Sequence, residues 1–97
     1  FERVTGRYDM INLKLDKSGG LTEALLCVEQ ARRLGMPIMV GCMVSSSLAV
    51  EPALLLAPSA AFVDLDGPLL LESDRDGALH DRDAGVLRPC PSIWGGP

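Results

Sequence analysis

Ninety-seven residues of 10.3 kDa, with a formal net charge of -4 and a pI near 4.8, bound the chain to at most one domain. Apolar residues at 47% can build a core, which excludes a disordered tail, and nine Lys plus Arg against thirteen Asp plus Glu leave no basic footprint for nucleic acid. No apolar run reaches the ~18 residues that would make a membrane a partner, and three widely spaced cysteines (Cys27, Cys42, Cys90) suggest neither a disulfide frame nor a zinc site, so a reducing cytoplasm is the expected location.

Met10-Ile11-Asn12-Leu13-Lys14-Leu15 alternates with period two, placing Ile11, Leu13 and Leu15 on one face and Asn12 and Lys14 on the other, the pattern of a strand. Ser18-Gly19-Gly20 follows as a turn whose glycines permit positive φ. From Leu21 to Leu34, apolar residues at 21, 24, 25, 28 and 31 form the stripe of an amphipathic helix. Arg32 and Arg33 suit its C-terminal dipole and Gly35 its cap.

Met36-Pro37-Ile38-Met39-Val40 predicts a second, doubly buried strand, and the Ser-rich run Gly41 to Ser47 a short connection. Leu48 to Ala57 predicts a second helix that Pro52 starts or kinks and Pro58 ends. Ala61 to Leu65 predicts a third strand, and Asp66-Gly67-Pro68 a turn. Glu72, Asp74, Asp76, Asp81 and Asp83 then mark a Gly-bearing, solvated loop that contains the single histidine, His80.

Strand and helix alternating through short connections is a parallel α/β arrangement. Three strands and two helices close no barrel, so exposed strand edges and an uncovered apolar helix face are expected. A complete (β/α)8 barrel takes about 250 residues, and the expected fold is its C-terminal portion, about strands six to eight. The start at Phe1-Glu2-Arg3 without Met fits an expectation that the front is missing.

Parallel α/β folds bind ligands at the carboxyl ends of their strands. Lys14 ends the first strand, Gly41 to Ser45 follow the second, and Asp64 and Asp66 end the third, so strands lying side by side would aim all of them at one mouth. A lysine drawn out of water there loses hydration of its ammonium, and a neutral amine can take a proton next to a carbonyl. The alternative is a lysine that snorkels to solvent. Asp64 and Asp66, two apart on an extended segment, would point the same way and repel unless a cation, a metal or a ligand ammonium, lies between them. The alternative is a turn beside a solvated strand end. Ser18-Gly19-Gly20 lacks phosphate-loop spacing, Ser45 to Ser47 lack a nucleophile elbow, and Cys42 reads as packing.

Taken together, the segments resemble a specific family. Asn12-Leu13-Lys14-Leu15-Asp16-Lys17-Ser18-Gly19-Gly20-Leu21-Thr22 is similar to the sixth-strand signature of the muconate-lactonising subgroup of the enolase superfamily. Gly41-Cys42-Met43-Val44 with Ser47-Leu48-Ala49 resembles the seventh-strand segment. Asp64-Leu65-Asp66-Gly67-Pro68-Leu69-Leu70-Leu71 resembles the eighth-strand end of its dipeptide epimerases, the L-Ala-D/L-Glu epimerase type. The likeness covers roughly residues 8–72, and the tail through Trp94 also looks like a family C-terminus.

The resemblance implies a 1,1-proton transfer in which two lysines flank the α-carbon of a dipeptide's C-terminal residue while Mg2+ binds its carboxylate. The superfamily's Lys base with Mg2+ is itself a standard example of tuned acid–base chemistry. It implies Lys14 as one acid/base lysine, Asp64 and Asp66 as holders of the α-ammonium, and Lys17 as a weaker candidate. The partner lysine, the Mg2+ ligands and the capping domain are expected outside this chain. That makes residues 1–97 the C-terminal part of the barrel domain, with residues 67–97 as its tail. The expected partner is a small-molecule dipeptide, with homo-oligomerisation of the full-length protein left open. Ser45 stands where many relatives have Glu, leaving room for N-acyl amino acids. An N-acylamino-acid racemase, a cycloisomerase and a non-catalytic α/β binding fragment are the alternatives. The 97-residue chain alone is expected to be inactive: incubated with L-Ala-L-Glu and Mg2+ in D2O, it should leave the Glu α-proton signal unchanged by NMR.

Overall fold

The alternating run becomes strand β1, Ile11–Lys14, and the amphipathic stripe becomes helix α2, Leu21–Arg33, with a single helical turn α1, Leu15–Ser18, between them. The computed structural model describes residues 1–81 and 83–95. Gly19 and Gly20, at φ 92° and 102°, make the tight exit from α1, a backbone that side-chain-bearing residues rarely adopt. Gly35, at φ 65°, ends α2 and returns the chain to strand β2, Ile38–Gly41.

The expected second helix is shorter than its pattern. Helix α3 covers only Ser47–Val50, and the chain continues as 3-10 turns over Glu51–Leu55 and Ala57–Ser59. Pro52 offers no amide proton and crowds the preceding turn, which tightens the coil. Pro58 lies inside the last of these turns instead of beyond it. Strand β3 is Phe62–Val63, two residues where five were expected: its ladder with β2 takes in only Phe62 and Val63, and the chain has left the extended form by Asp66. The acidic loop also contains a hairpin absent from the sequence reading: β4, His80–Asp81, pairs antiparallel with β5, Val86–Leu87.

Strands β1, β2 and β3 are parallel and in chain order. Ile11 faces Ile38, Leu13 faces Val40 and Lys14 faces Gly41. Val40 faces Val63, and the Asp64 amide donates to the Val40 carbonyl at 2.8 Å, which carries the pairing on to Asp64. One face of this sheet is covered: Leu13, Ile38 and Val40 join Ala24, Val28 and Ala31 of α2 in a core that takes in Val50, Ala53, Leu56, Leu65 and Leu79. Leu25 and Leu26 of α2 remain exposed, as do Phe62 and Val63 at the sheet edge. Leu25 thus departs from the expected buried stripe, because the covering layer reaches only the Ala24–Val28–Ala31 side of the helix.

The acidic segment is tied to α3 by a buried cap. Ser47 is wholly buried, its amide donates to Asp74 Oδ1 at 2.9 Å and its hydroxyl donates to Asp74 Oδ2. The Leu79 amide donates to Ser47 Oγ at 3.1 Å. Burial acts to raise the Asp74 carboxyl, but the Ser47 hydroxyl and amide and the Arg75 amide outweigh it and hold it below the usual carboxylate value. A depressed folded value means that the stabilisation is complete above the unfolded value and is lost as pH falls through the folded one. Thermal stability should therefore fall below about pH 4 in the native protein, and this acid-dependent part should vanish in Asp74→Asn, with tail residues 72–80 undocking first by hydrogen exchange.

Candidate functional site

The uncovered face of the sheet carries the polar residues. Asn12 is exposed and Lys14 half-buried, while Leu13 between them is in the core. The register sets Lys14, Gly41 and Asp64 in one row across three neighbouring strands. With strands ~4.8 Å apart, the outer two backbones stand roughly 9–10 Å from one another. Gly41 leaves the middle of that row empty. A Cβ there would lie 2.8 Å from Asn12 Oδ1, so a larger residue would both displace Asn12 and fill the space between the amine and the carboxylate.

Asp64 and Asp66 are exposed on either side of buried Leu65. The extended run expected to carry both ends before the second: Asp66, at φ −90° and ψ −2°, opens the 3-10 turn Gly67–Leu70, where Pro68 favours a tight coil. Alternation across Leu65 still leaves both carboxylates in solvent. Both act on the same thiol, Cys42. Burial pushes that thiol up, the Gly67 amide donating to Sγ at 3.4 Å lowers it, and the charges of Asp66, Asp64 and Asp16 raise it further. Three strand exits therefore meet around Cys42, with Asp16 from the first and Asp64 and Asp66 from the third. The sequence reading of Cys42 as packing fits its place.

Gly67 permits the meeting. A Cβ at Gly67 would stand 2.3 Å from the Met43 carbonyl oxygen and 3.0 Å from Cys42 Sγ, positions that real side chains do not occupy. Met43 links the exits in turn. Its amide donates to Asp16 Oδ2 at 3.2 Å, its carbonyl accepts from the Ser45 hydroxyl at 3.2 Å, and its Sδ lies 3.8 Å from Lys14 Nζ. Asp16 and the contacts of Met43 escaped the sequence reading. The available signal was the placement of Asp16 two residues after Lys14, at the start of a turn that leads back toward the second strand.

The remaining candidates lie apart from the row. Lys17 is exposed on α1, His80 belongs to the β4–β5 hairpin, and Ser47 is buried under Asp74, which removes it from any nucleophilic role. Cys27, Cys42 and Cys90 are free thiols. Among the described residues, no group of three His, Cys, Asp or Glu side chains is placed to hold a metal ion. No described helix is long and apolar enough to cross a membrane. A cavity of about 760 Å³ lies between Leu15, Leu21, Leu55, Pro89 and Trp94, away from the row; its wall is mostly apolar, with Glu51 as its one charged side chain.

No family model matches the chain. An N-acetyl-D-glutamate racemase of a Pseudoalteromonas species is 52% identical over 94 residues, which are 96% of this chain and 30% of that protein. An L-Ala-D/L-Glu epimerase of Escherichia coli strain K12 is 53% identical over 77 residues, 79% of this chain and 24% of that protein. A crystal structure of an enolase family member from Agrobacterium tumefaciens, with homology to dipeptide epimerases and with bound sodium and L-Ala-L-Glu, superposes with a TM-score of 0.87. It is 53% identical over 96% of this chain and 28% of its own. The chain thus spans less than a third of the length of the relatives it matches.

The environment of Cys42 has a direct chemical consequence. Thiolate is the reacting form, and burial with three nearby carboxylates suppresses it. Cys42 should alkylate with iodoacetamide at pH 7.5 at least tenfold more slowly than N-acetylcysteine, as read by peptide mass spectrometry, and Asp64→Asn with Asp66→Asn should narrow that gap.

Proposed function

Since the chain belongs to the enolase superfamily, we propose that it forms strands six to eight, the C-terminal part of the barrel domain, of a dipeptide epimerase that inverts the α-carbon of the C-terminal residue. Residues 67–97 are then the tail of that domain, and the capping domain and earlier strands belong to other parts of the protein. The observation that carries the reading is the row Lys14–Gly41–Asp64, with Asp66 beside it.

The dimensions support a dipeptide. Its α-ammonium and the α-carbon of its second residue are about 5 Å apart, which fits inside a row roughly 9–10 Å wide. Asp64 and Asp66 hold the ammonium, and this relieves the repulsion between two carboxylates that both stand near Cys42. Lys14 Nζ faces one side of the second α-carbon. As a neutral amine it takes the α-proton and becomes an ammonium; in the reverse direction the ammonium returns a proton to that face. A second base on the opposite face, supplied by another part of the barrel, completes the inversion. Lys17, on the exposed side of α1, is the weaker choice for Lys14's role.

The resemblance also calls for Mg2+ at the substrate carboxylate, where it would supply positive charge as the α-proton departs. The described residues of this chain do not fit such a site, so its ligands belong to other parts of the protein. Three free cysteines suit a reducing compartment, and the cytoplasm is the proposed location.

A second reading, an N-acylamino-acid racemase, is favoured by the likeness to the N-acetyl-D-glutamate racemase. An acylated nitrogen carries no charge, so this substrate would make no use of Asp64 and Asp66. The complete protein, incubated with Mg2+ and L-Ala-L-Glu in D2O, should lose the Glu α-proton signal and gain the L-Ala-D-Glu diastereomer. Lys14→Ala should cut that exchange by roughly 10²–10⁴-fold. Asp64→Asn with Asp66→Asn should raise KM by a factor on the order of 10–100 per lost charge-assisted bond. Exchange in N-acetylglutamate but not in the dipeptide, with the double variant unimpaired, would establish the racemase instead.

A further inference from the structure

Lys14 ends β1, and the two residues after it are already in the turn α1. A lysine side chain has four rotatable carbons, so its Nζ is directed only if something holds it. Lys14 appears in none of the ion pairs found among the described residues, and its polar contact is Met43 Sδ at 3.8 Å. A thioether is a weak, uncharged acceptor: it can orient the amine without giving it a counter-ion. A carboxylate in that place would tie the lysine up as an ammonium and oppose its release of charge in the reaction. The choice of sulfur is therefore chemically useful, provided that Met43 is itself held still.

Met43 is exposed, and lies in the connection between β2 and α3 where no strand ladder restrains it. Its amide donates to Asp16 Oδ2 across 27 residues, and its carbonyl packs against the bare α-carbon of Gly67. The far end of the same connection is fixed by the Ser47 amide on Asp74. The loop is thus suspended between two carboxylates, and the front one stands on the same helical turn that follows Lys14.

We propose that Asp16 is a positioning residue for Lys14: by accepting the Met43 amide it holds the Met43 thioether against the Lys14 amine and aims that amine along the row toward Asp64. This rests on the proton-transfer reading above. Asp16 touches no substrate; it acts through Met43. Its carboxylate also joins Asp64 and Asp66 around Cys42, but its task needs only an acceptor oxygen, which an amide can supply as well as a carboxylate.

The test uses the complete protein with L-Ala-L-Glu and Mg2+ in D2O. Asp16→Ala should lower kcat for α-proton exchange by tenfold or more while KM stays within about twofold, since the ammonium contacts at Asp64 and Asp66 are untouched. Asp16→Asn keeps the acceptor and should recover kcat to within threefold of the native protein. Met43→Leu, which keeps the bulk and removes the sulfur, should lower kcat in the same direction. Hydrogen exchange at the Met43 amide, followed without substrate, should quicken in Asp16→Ala and not in Asp16→Asn. Equal kcat in Asp16→Ala and the native protein, or an Asp16→Asn as impaired as Asp16→Ala, overturns the role of Asp16 while leaving the reaction standing. A native protein that exchanges no α-proton overturns the reaction and Asp16's part in it together, even if the amide clamp is seen by hydrogen exchange.

Discussion

Three strand exits converge because Gly67 among them carries no side chain, and a second glycine, Gly41, leaves room between them. At Gly67 a single added carbon would stand 2.3 Å from the Met43 carbonyl oxygen, and at Gly41 it would stand 2.8 Å from Asn12 Oδ1. The overlap at Gly67 falls on backbone and could be relieved only by a backbone shift, whereas the one at Gly41 falls on the end of an exposed side chain that would have to swing aside. The first approach seats the Asp64–Gly67 segment against the end of β2. The second keeps the space between Lys14 and Asp64 open. Both follow from the parallel register, which brings the three exits to one level before any side chain is considered.

Carboxylates do three separate jobs around this arrangement, and their surroundings decide which. Asp74 is half-buried and saturated with donors from Ser47 and Arg75, so it serves as a cap for α3 and docks the acidic tail. Asp16 accepts one backbone amide and connects two loops. Asp64 and Asp66 receive no hydrogen bond among those found for the described residues, and they stand exposed beside a thiol that neutralises neither. Carboxylates left without donors at a strand end are suited to a cation brought by a ligand, and here the proposed ammonium enters.

The same sheet is incomplete at its margins. β3 is two residues long, and Phe62 and Val63 stand exposed on it, while Leu25 and Leu26 leave an apolar strip on α2. A parallel sheet in a barrel is covered on both faces and has no edge. The uncovered face here carries Asn12, Lys14 and Phe62, the face that would line the inside of a closed barrel. Likeness to enolase-family structures at a TM-score of 0.87 over only 28% of the matching chain accords with that geometry.

Alternation at residues 10–15, the stripe of α2 and the glycines at 19, 20 and 35 were legible from the sequence, because each is enforced by neighbours within a few residues. So was the candidate row, since Lys14, Asp64 and Asp66 are polar groups at predicted strand ends. The length of α3 was less legible: Pro52 announced a break, but whether it would begin or end the coil depended on the packing of Val50, Ala53 and Leu56. The β4–β5 hairpin was missed because its charged, Gly-bearing sequence reads as a solvated loop, and the Leu79 beside it is buried with its amide on Ser47 Oγ, a contact across 32 residues. By itself the sequence determined β1, α2 and the turns at its glycines, and it named the polar groups proposed for the site. Only the tertiary structure decided that Asp16 bonds to Met43, that Met43 reaches Lys14 and that Gly67 lies on both Cys42 and Met43. These contacts join residues about 25 to 30 apart, and no local propensity can encode a distance that is set by the register of parallel strands.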